Sequence, residues 1–246
     1  KAHLRRRFSV EVLPPVARMR EYVESLRAIW DCWQNGTPLD YQGKYYQFSL
    51  MIPYYDPGPI DKPEIPVYIA AINKHMCQLA GEVADGHLPG DPITDKWFAE
   101  VMLPNLEIGA ERAGRQLSDL DLGSYGFIGC AADDEGLERV RQGLKERVAL
   151  YASTPVYEKI LDMHGWDVDL SSFINMAREG RWQEMGNLVT DDMLDAYAAV
   201  GKPEELPGLL KRRFGSHIDR LQLDETWFDG LSDAQIASLV AELKQI

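Results

Sequence analysis

The residues best placed to do chemistry lie in one turn. In the stretch Ile65 to His87, IPVYIAAINKHMCQLAGEVADGH, a short apolar run gives way at once to a helical pattern, and Ala71-Ile72-Asn73 joins them. A turn in that place aims free backbone N–H groups at whatever lies above the strand end. With the positive end of a helix dipole behind them, such groups make a ready phosphate site. Other candidates carry less. His75 falls in the first turn of a helix, His164 and His217 fall at helix ends, and none has metal-ligand spacing with another His, Cys or acid. Cys32, Cys77 and Cys130 are far apart in apolar segments, so they read as small buried hydrophobes in a reducing, cytoplasmic compartment and not as a disulfide framework. No Gly-x-Ser-x-Gly elbow, Walker loop or Gly-x-Gly-x-x-Gly fingerprint is present. The tyrosines and prolines of 41 to 59 suit either a substrate mouth or a lid packed on one end of the fold.

The elements that must position this turn follow from periodicity. Val67, Tyr68 and Ile69 are strand formers between Pro66 and the small pair Ala70 and Ala71. From Lys74 the apolar positions Met76, Leu79, Ala80 and Val83 repeat at helical spacing. Asp85-Gly86 then breaks the helix and His87-Leu88 resumes an extended segment. This is a βαβ unit, with parallel strands and a right-handed crossover. Upstream, Met19, Tyr22, Val23, Leu26, Ile29, Trp30 and Trp33 predict a helix over 16–33 that ends at Gly36. Residues 37–64 read as an irregular excursion with a short hairpin around Gln42-Gly43-Lys44 and a proline-rich descent from Pro53, too long for a simple connector. Downstream, helices are expected over 95–115, 133–151 and 233–246, and one beginning at Lys202-Pro203-Glu204-Glu205 and running to about Phe214. Residues 154–200 read as purely helical. The four core strands are 66–71, 85–89, 121–130 and 219–223, each followed by a helix. No internal repeat is visible.

Composition narrows the class. The chain has 246 residues, is 45% hydrophobic and 26% charged, and carries a formal charge of −13, which suits an α/β protein with a sizeable core and excludes a nucleic-acid binder built on a basic face. Arg5-Arg6-Arg7 is too short to change that and reads as a solvated loop or an ion-pairing patch. No run of eighteen apolar residues exists to span a membrane, and the first residues do not read as a signal peptide. The chain starts at Lys1 and not at methionine, so its first residue need not be that of its gene.

Four segments together resemble the luciferase-like flavin/deazaflavin oxidoreductase superfamily, within it the F420-dependent oxidoreductases. They are Arg18-Met19-Arg20-Glu21-Tyr22-Val23 with Leu26-Arg27-Ala28-Ile29-Trp30; Pro66 to Gly86; Leu103-Pro104 through Gly109-Ala110 to Ala113-Gly114-Arg115; and Tyr151-Ala152-Ser153-Thr154-Pro155 with His164-Gly165-Trp166. The resemblance implies an α/β fold of TIM-barrel (β/α)8 type, with residues 1–246 as a single domain supplying about strands five to eight, 37–64 an insertion and 154–200 a helical excursion. The four absent units, at roughly 30 residues each, amount to about 120 residues. It implies hydride transfer between F420, or FMN as the alternative, and a small organic substrate. It places the cofactor's phosphate on Ala71, Ile72, Asn73 and Lys74, where Ile72 stands in place of the glycine common in relatives. In the resemblance Asp85 braces backbone, and Gly90-Asp91-Pro92 replaces a histidine-rich strand end, so His87 reads as a buried, satisfied histidine. No catalytic acid or base and no metal site is assigned. The alternative is a non-catalytic half-barrel whose open edges must pair with a copy of itself or with a separate first half.

Overall fold

The structure is a computed structural model describing residues 2–215 and 217–245. Contacts gather the chain into two compact units: residues through Ile69 with Asn73–His87 and Asn105–Leu120, and Ala70–Ile72 with Leu88–Pro104 and Asp121 onward.

In the first unit, the expected long helix runs Pro15–Asn35. It starts at a proline, whose missing N–H is no loss in a first turn, and ends at Gly36 in the left-handed region, φ 69°. Its Val23 and Cys32 are buried. Arg20 reaches Glu82 at 2.6 Å and ties this helix to the helix Lys74–Val83. The hairpin forms with Tyr41 opposite Phe48. Glu21 holds its loop by accepting from the N–H groups of Lys44, Tyr45 and Tyr46 at 3.0, 2.6 and 3.2 Å. The βαβ unit is present: Tyr68–Ile69 pairs in parallel with Gly86–His87, with the helix Lys74–Val83 between them. Asp85 does brace backbone, accepting from the Val67 N–H at 2.8 Å while it meets Arg27 at 3.2 Å. Arg5, Arg6 and Arg7 are exposed, but on the helix Ala2–Phe8 and not in a loop. Three charged side chains that all reach water suit a helix as well as a coil.

The second unit departs further from expectation. The single strand read over 121–130 is two: Asp121–Leu122 and Phe127–Ala131. Between them Gly126 adopts φ 73°, and a Cβ there would run into the Tyr197 carbonyl oxygen. The stretch 154–200 is not purely helical, because Ala198–Gly201 is a strand that pairs in parallel with Phe127–Ala131. Ala-Ala-Val-Gly follows the helix Asp191–Tyr197 without a break, so its sequence carries no period of its own. The last strand is Phe228–Asp229, also parallel to Phe127–Ala131. The segment 219–223 makes a parallel bridge from Arg220 to Gly123, strengthened by the N–H groups of Asp219 and Arg220 to the Leu122 oxygen. The helix expected from Lys202 begins at Leu206, after a turn. Asp133 caps the helix Asp134–Ala152 by accepting from the Gly136 N–H at 2.7 Å. The pairings of Tyr68–Ile69 with Gly86–His87 and of Phe127–Ala131 with Ala198–Gly201 and Phe228–Asp229 are parallel, and the hairpin is antiparallel.

Candidate functional site

The turn that sequence singles out is built as expected at the level of the backbone. After the strand Tyr68–Ile69, Ala71 is buried and Ile72 and Asn73 are half-buried. Asn73 is the residue before the helix, extended at φ −105° and ψ 153°. Its carbonyl accepts from Met76 and Cys77, both at 3.0 Å, which closes the first turn. Its side chain makes no capping bond, although asparagine is among the residues that most often do. No acidic residue lies in the first turn, and Lys74 is exposed there. An N-terminus without a side-chain cap or a nearby carboxylate, and with one ammonium beside it, is chemically suited to an anion.

The Ile72 carbonyl is fixed from within the second unit, where the indole N–H of Trp97 donates to it at 3.0 Å. Trp97 in turn is placed by Thr94, a fully buried residue that caps the helix start Asp95–Trp97 by accepting from the Trp97 backbone N–H at 3.2 Å. The ring Nε2 of His164 lies 2.8 Å from the same Thr94 hydroxyl, and the imidazole stacks on Trp166 with centroids 4.0 Å apart. Burial, reinforced by Lys96, holds His164 below its ordinary pKa, so the ring is neutral at neutral pH. Beside this group Arg213, 7% exposed, pairs with Asp95 at 2.8 Å and donates to the Ala196 carbonyl at 2.7 Å, with Tyr125 under its guanidinium.

A cavity of about 450 Å³ in the second unit is lined by Asp91, Gly126, Phe127, Gln222, Asp224 and Trp227, among others. Gly90 and Tyr125 form a parallel bridge, as do Gly123 and Arg220. Asp91, Gly126 and Gln222 therefore follow the C-terminal ends of three segments running the same way. That is the end where barrel enzymes carry their sites. Burial and Asp224 push the Asp91 carboxyl above its ordinary range, partly offset by Arg147.

The remaining sequence candidates lie apart from this group. His87 is fully buried in its strand. Cys32, Cys77 and Cys130 are buried and free, and burial pushes the Cys77 thiol up to about 12 and Cys130 to about 11, so neither is a ready nucleophile. Tyr54 and Tyr55 are exposed. Among the described residues no group of His, Cys, Asp and Glu could hold a metal, and no helix is long and apolar enough to cross a membrane. Trp97 and Thr94 escaped sequence reading. The available signal was Thr94-Asp95 ahead of an apolar run, a helix-start pattern that marks Thr94 as a cap but says nothing of the indole.

The luciferase-like monooxygenase family matches residues 1–219. An uncharacterized protein of Mycobacterium tuberculosis is 37% identical over 221 residues, covering 90% of this chain and 65% of that protein. The 5,10-methylenetetrahydromethanopterin reductase of Archaeoglobus fulgidus is 29% identical over 198 residues, 78% of this chain and 55% of the reductase. The solved structure of the coenzyme F420 dependent tetrahydromethanopterin reductase from Methanopyrus kandleri has a similar fold, with TM-score 0.70 at 21% identity, over 94% of this chain and 63% of that one. The chain thus spans less than two thirds of the length of these relatives.

Proposed function

We propose, from the premise that the chain belongs to the luciferase-like monooxygenase family, that it serves hydride transfer between F420 and a small organic substrate. FMN is the alternative cofactor. The observation that carries this is the start of the helix Lys74–Val83, which has neither a side-chain cap nor an acid in its first turn. Ala71, Ile72, Asn73 and Lys74 form the turn that holds the ribityl phosphate, with backbone N–H groups at the helix start as donors and the Lys74 ammonium as counter-charge. When bound, F420 supplies a ring carbon that gives or takes the hydride; the chain's part is to fix the phosphate and so orient the ring. F420 is favoured because enzymes named for it, an F420-dependent glucose-6-phosphate dehydrogenase and a coenzyme F420 dependent tetrahydromethanopterin reductase, stand among the relatives and similar structures. In this reading residues 1–246 act as a single domain contributing about strands five to eight of a (β/α)8 barrel.

The length comparison supports a second reading. A chain that spans 65% of its relative leaves room for the ring pocket to be completed by further polypeptide or by a second copy. On that reading this chain holds the phosphate end and is not an enzyme alone. Incubating the chain with oxidised F420 and a panel of small alcohols and amines separates the two. Substrate-dependent loss of deazaflavin fluorescence is the result expected of the first reading. Binding without any such loss across the panel is the result expected of the second.

A further inference from the structure

We infer that the cavity around Asp91 is a binding site for a small organic ammonium ion with an apolar body, the Asp91 carboxylate meeting the charge and Trp227 with the apolar wall meeting the body. The inference is separate from the phosphate reading, because it needs no cofactor. The cavity, about 450 Å³, is of the size that takes a small molecule. Among the described residues, its lining carries three carboxylates, Asp91, Asp224 and Glu225, and no lysine or arginine. Phe127, Leu223, Trp227, Ile236 and Val240 supply apolar surface beside them. Negative charge next to an apolar wall complements a ligand that is both cationic and apolar.

Asp91 differs from the other two acids. Asp224 is exposed and already occupied, its Oδ1 accepting from the Thr226 N–H at 3.0 Å and from the Thr226 hydroxyl at 2.7 Å. Glu225 is exposed to water. Asp91 is half-buried, and its carboxylate makes no hydrogen bond or ion pair with any described residue. Burial and Asp224 both disfavour its charge. Arg147 attracts it but forms no ion pair with it, and lies instead over the Tyr151 ring, 5.5 Å from the centroid. The backbone of Asp91 is fixed all the same. Gly90 is bridged to Tyr125, the Asp91 carbonyl accepts from the Ile93 N–H at 2.8 Å, and Pro92 restricts the residue before it. A carboxylate held at a cavity without a partner is destabilising until a cation meets it. Trp227 supplies the other half of the site. It meets Phe127 edge-on, centroids 6.2 Å apart, and lines the cavity, where an indole face attracts an ammonium ion. The competing explanation is that Asp91 is one more solvated acid on a chain of formal charge −13. Solvation treats all small cations alike, whereas a built site prefers the cation whose body fits the apolar wall.

The probes are benzylammonium, its neutral counterpart benzyl alcohol, and sodium ion, each at the same ionic strength. They are added to the full isotope-labelled chain while the Asp91 amide and Trp227 indole N–H resonances are followed. Benzylammonium is expected to shift both resonances saturably, and sodium to leave them in place. Benzyl alcohol is expected to need at least about tenfold more for the same shift, the range of a lost hydrogen bond to a charged group. Asp91→Asn keeps the shape and removes the charge. It is expected to weaken the benzylammonium response by about the same tenfold and to leave the benzyl alcohol response unchanged. An Asp91→Asn chain that responds to benzylammonium as fully as the unmodified chain overturns the inference. So does benzyl alcohol acting as strongly as benzylammonium, which makes the cavity merely apolar. Sodium reproducing the shift, or benzylammonium producing none, overturns it as well, and makes Asp91 an ordinary solvated acid. These last three results need no variant, so they decide the matter even where Asp91→Asn does not fold. With no F420 in the sample, none of the outcomes bears on the phosphate reading.

Discussion

Lys74 and His164 show how differently two charged or chargeable side chains can matter at the scale of the residue. Lys74 is exposed at the first turn of its helix, where its charge is screened by water. Lys74→Ala is therefore expected to weaken F420 binding by only about threefold, consistent with an exposed charge at a helix end, and isothermal calorimetry at low and high salt checks it. His164 is half-buried and held below its ordinary pKa by burial. In the unfolded chain it takes up a proton near its ordinary value, whereas the folded chain resists it. Its contribution to stability is thus full above about pH 6.5, the unfolded value, and is lost as pH falls from there through the depressed folded value. Urea unfolding between pH 7.5 and 5 is expected to show that decline, and His164→Asn to flatten it. The turn Ala71 to Lys74 was legible in the sequence because a short run of consecutive strand formers changes to a period of 3.6 across it. Trp97 was not, since its partner is a backbone oxygen 25 residues away, and backbone oxygens look alike in any sequence.

Elements in this protein meet at closer range than side-chain patterns reveal. The helices Lys74–Val83 and Leu103–Arg112 touch through glycine: a Cβ on Gly81 would overlap the Leu106 carbonyl oxygen, and one on Gly109 the Gln78 oxygen. Alanine in a helix ordinarily stabilises relative to glycine by up to about 1 kcal/mol. Here Gly109→Ala is expected to reverse that sign and lower the melting temperature, because the obstacle is backbone that cannot swing away. A rise in melting temperature would show that the helices have slack. At the other long helix, Asp133→Ala removes the cap on Gly136 and is expected to cost about 1 kcal/mol by urea titration. Long helices were legible because their apolar stripes are wide and their caps conventional. The strand Ala198–Gly201 was not, since its Ala-Ala-Val-Gly is covered on both faces and shows no alternation. The break at Gly126 was hidden because a glycine within an apolar run reads equally as strand.

For the whole molecule, family membership and an α/β fold with parallel pairing stand on the match over residues 1–219 and on the likeness of fold to solved relatives. The sequence resemblance reached the family because its matching segments are spread along the chain in order. The cofactor proposal joins that membership to one local feature, a helix start fit for a phosphate. Fluorescence titration of the purified chain with F420, and separately with FMN, tests the union most directly. The expected result is saturable binding, tighter for F420, that inorganic phosphate weakens by competition at the turn. Binding of neither cofactor at micromolar concentration, or binding that phosphate leaves untouched, would contradict it.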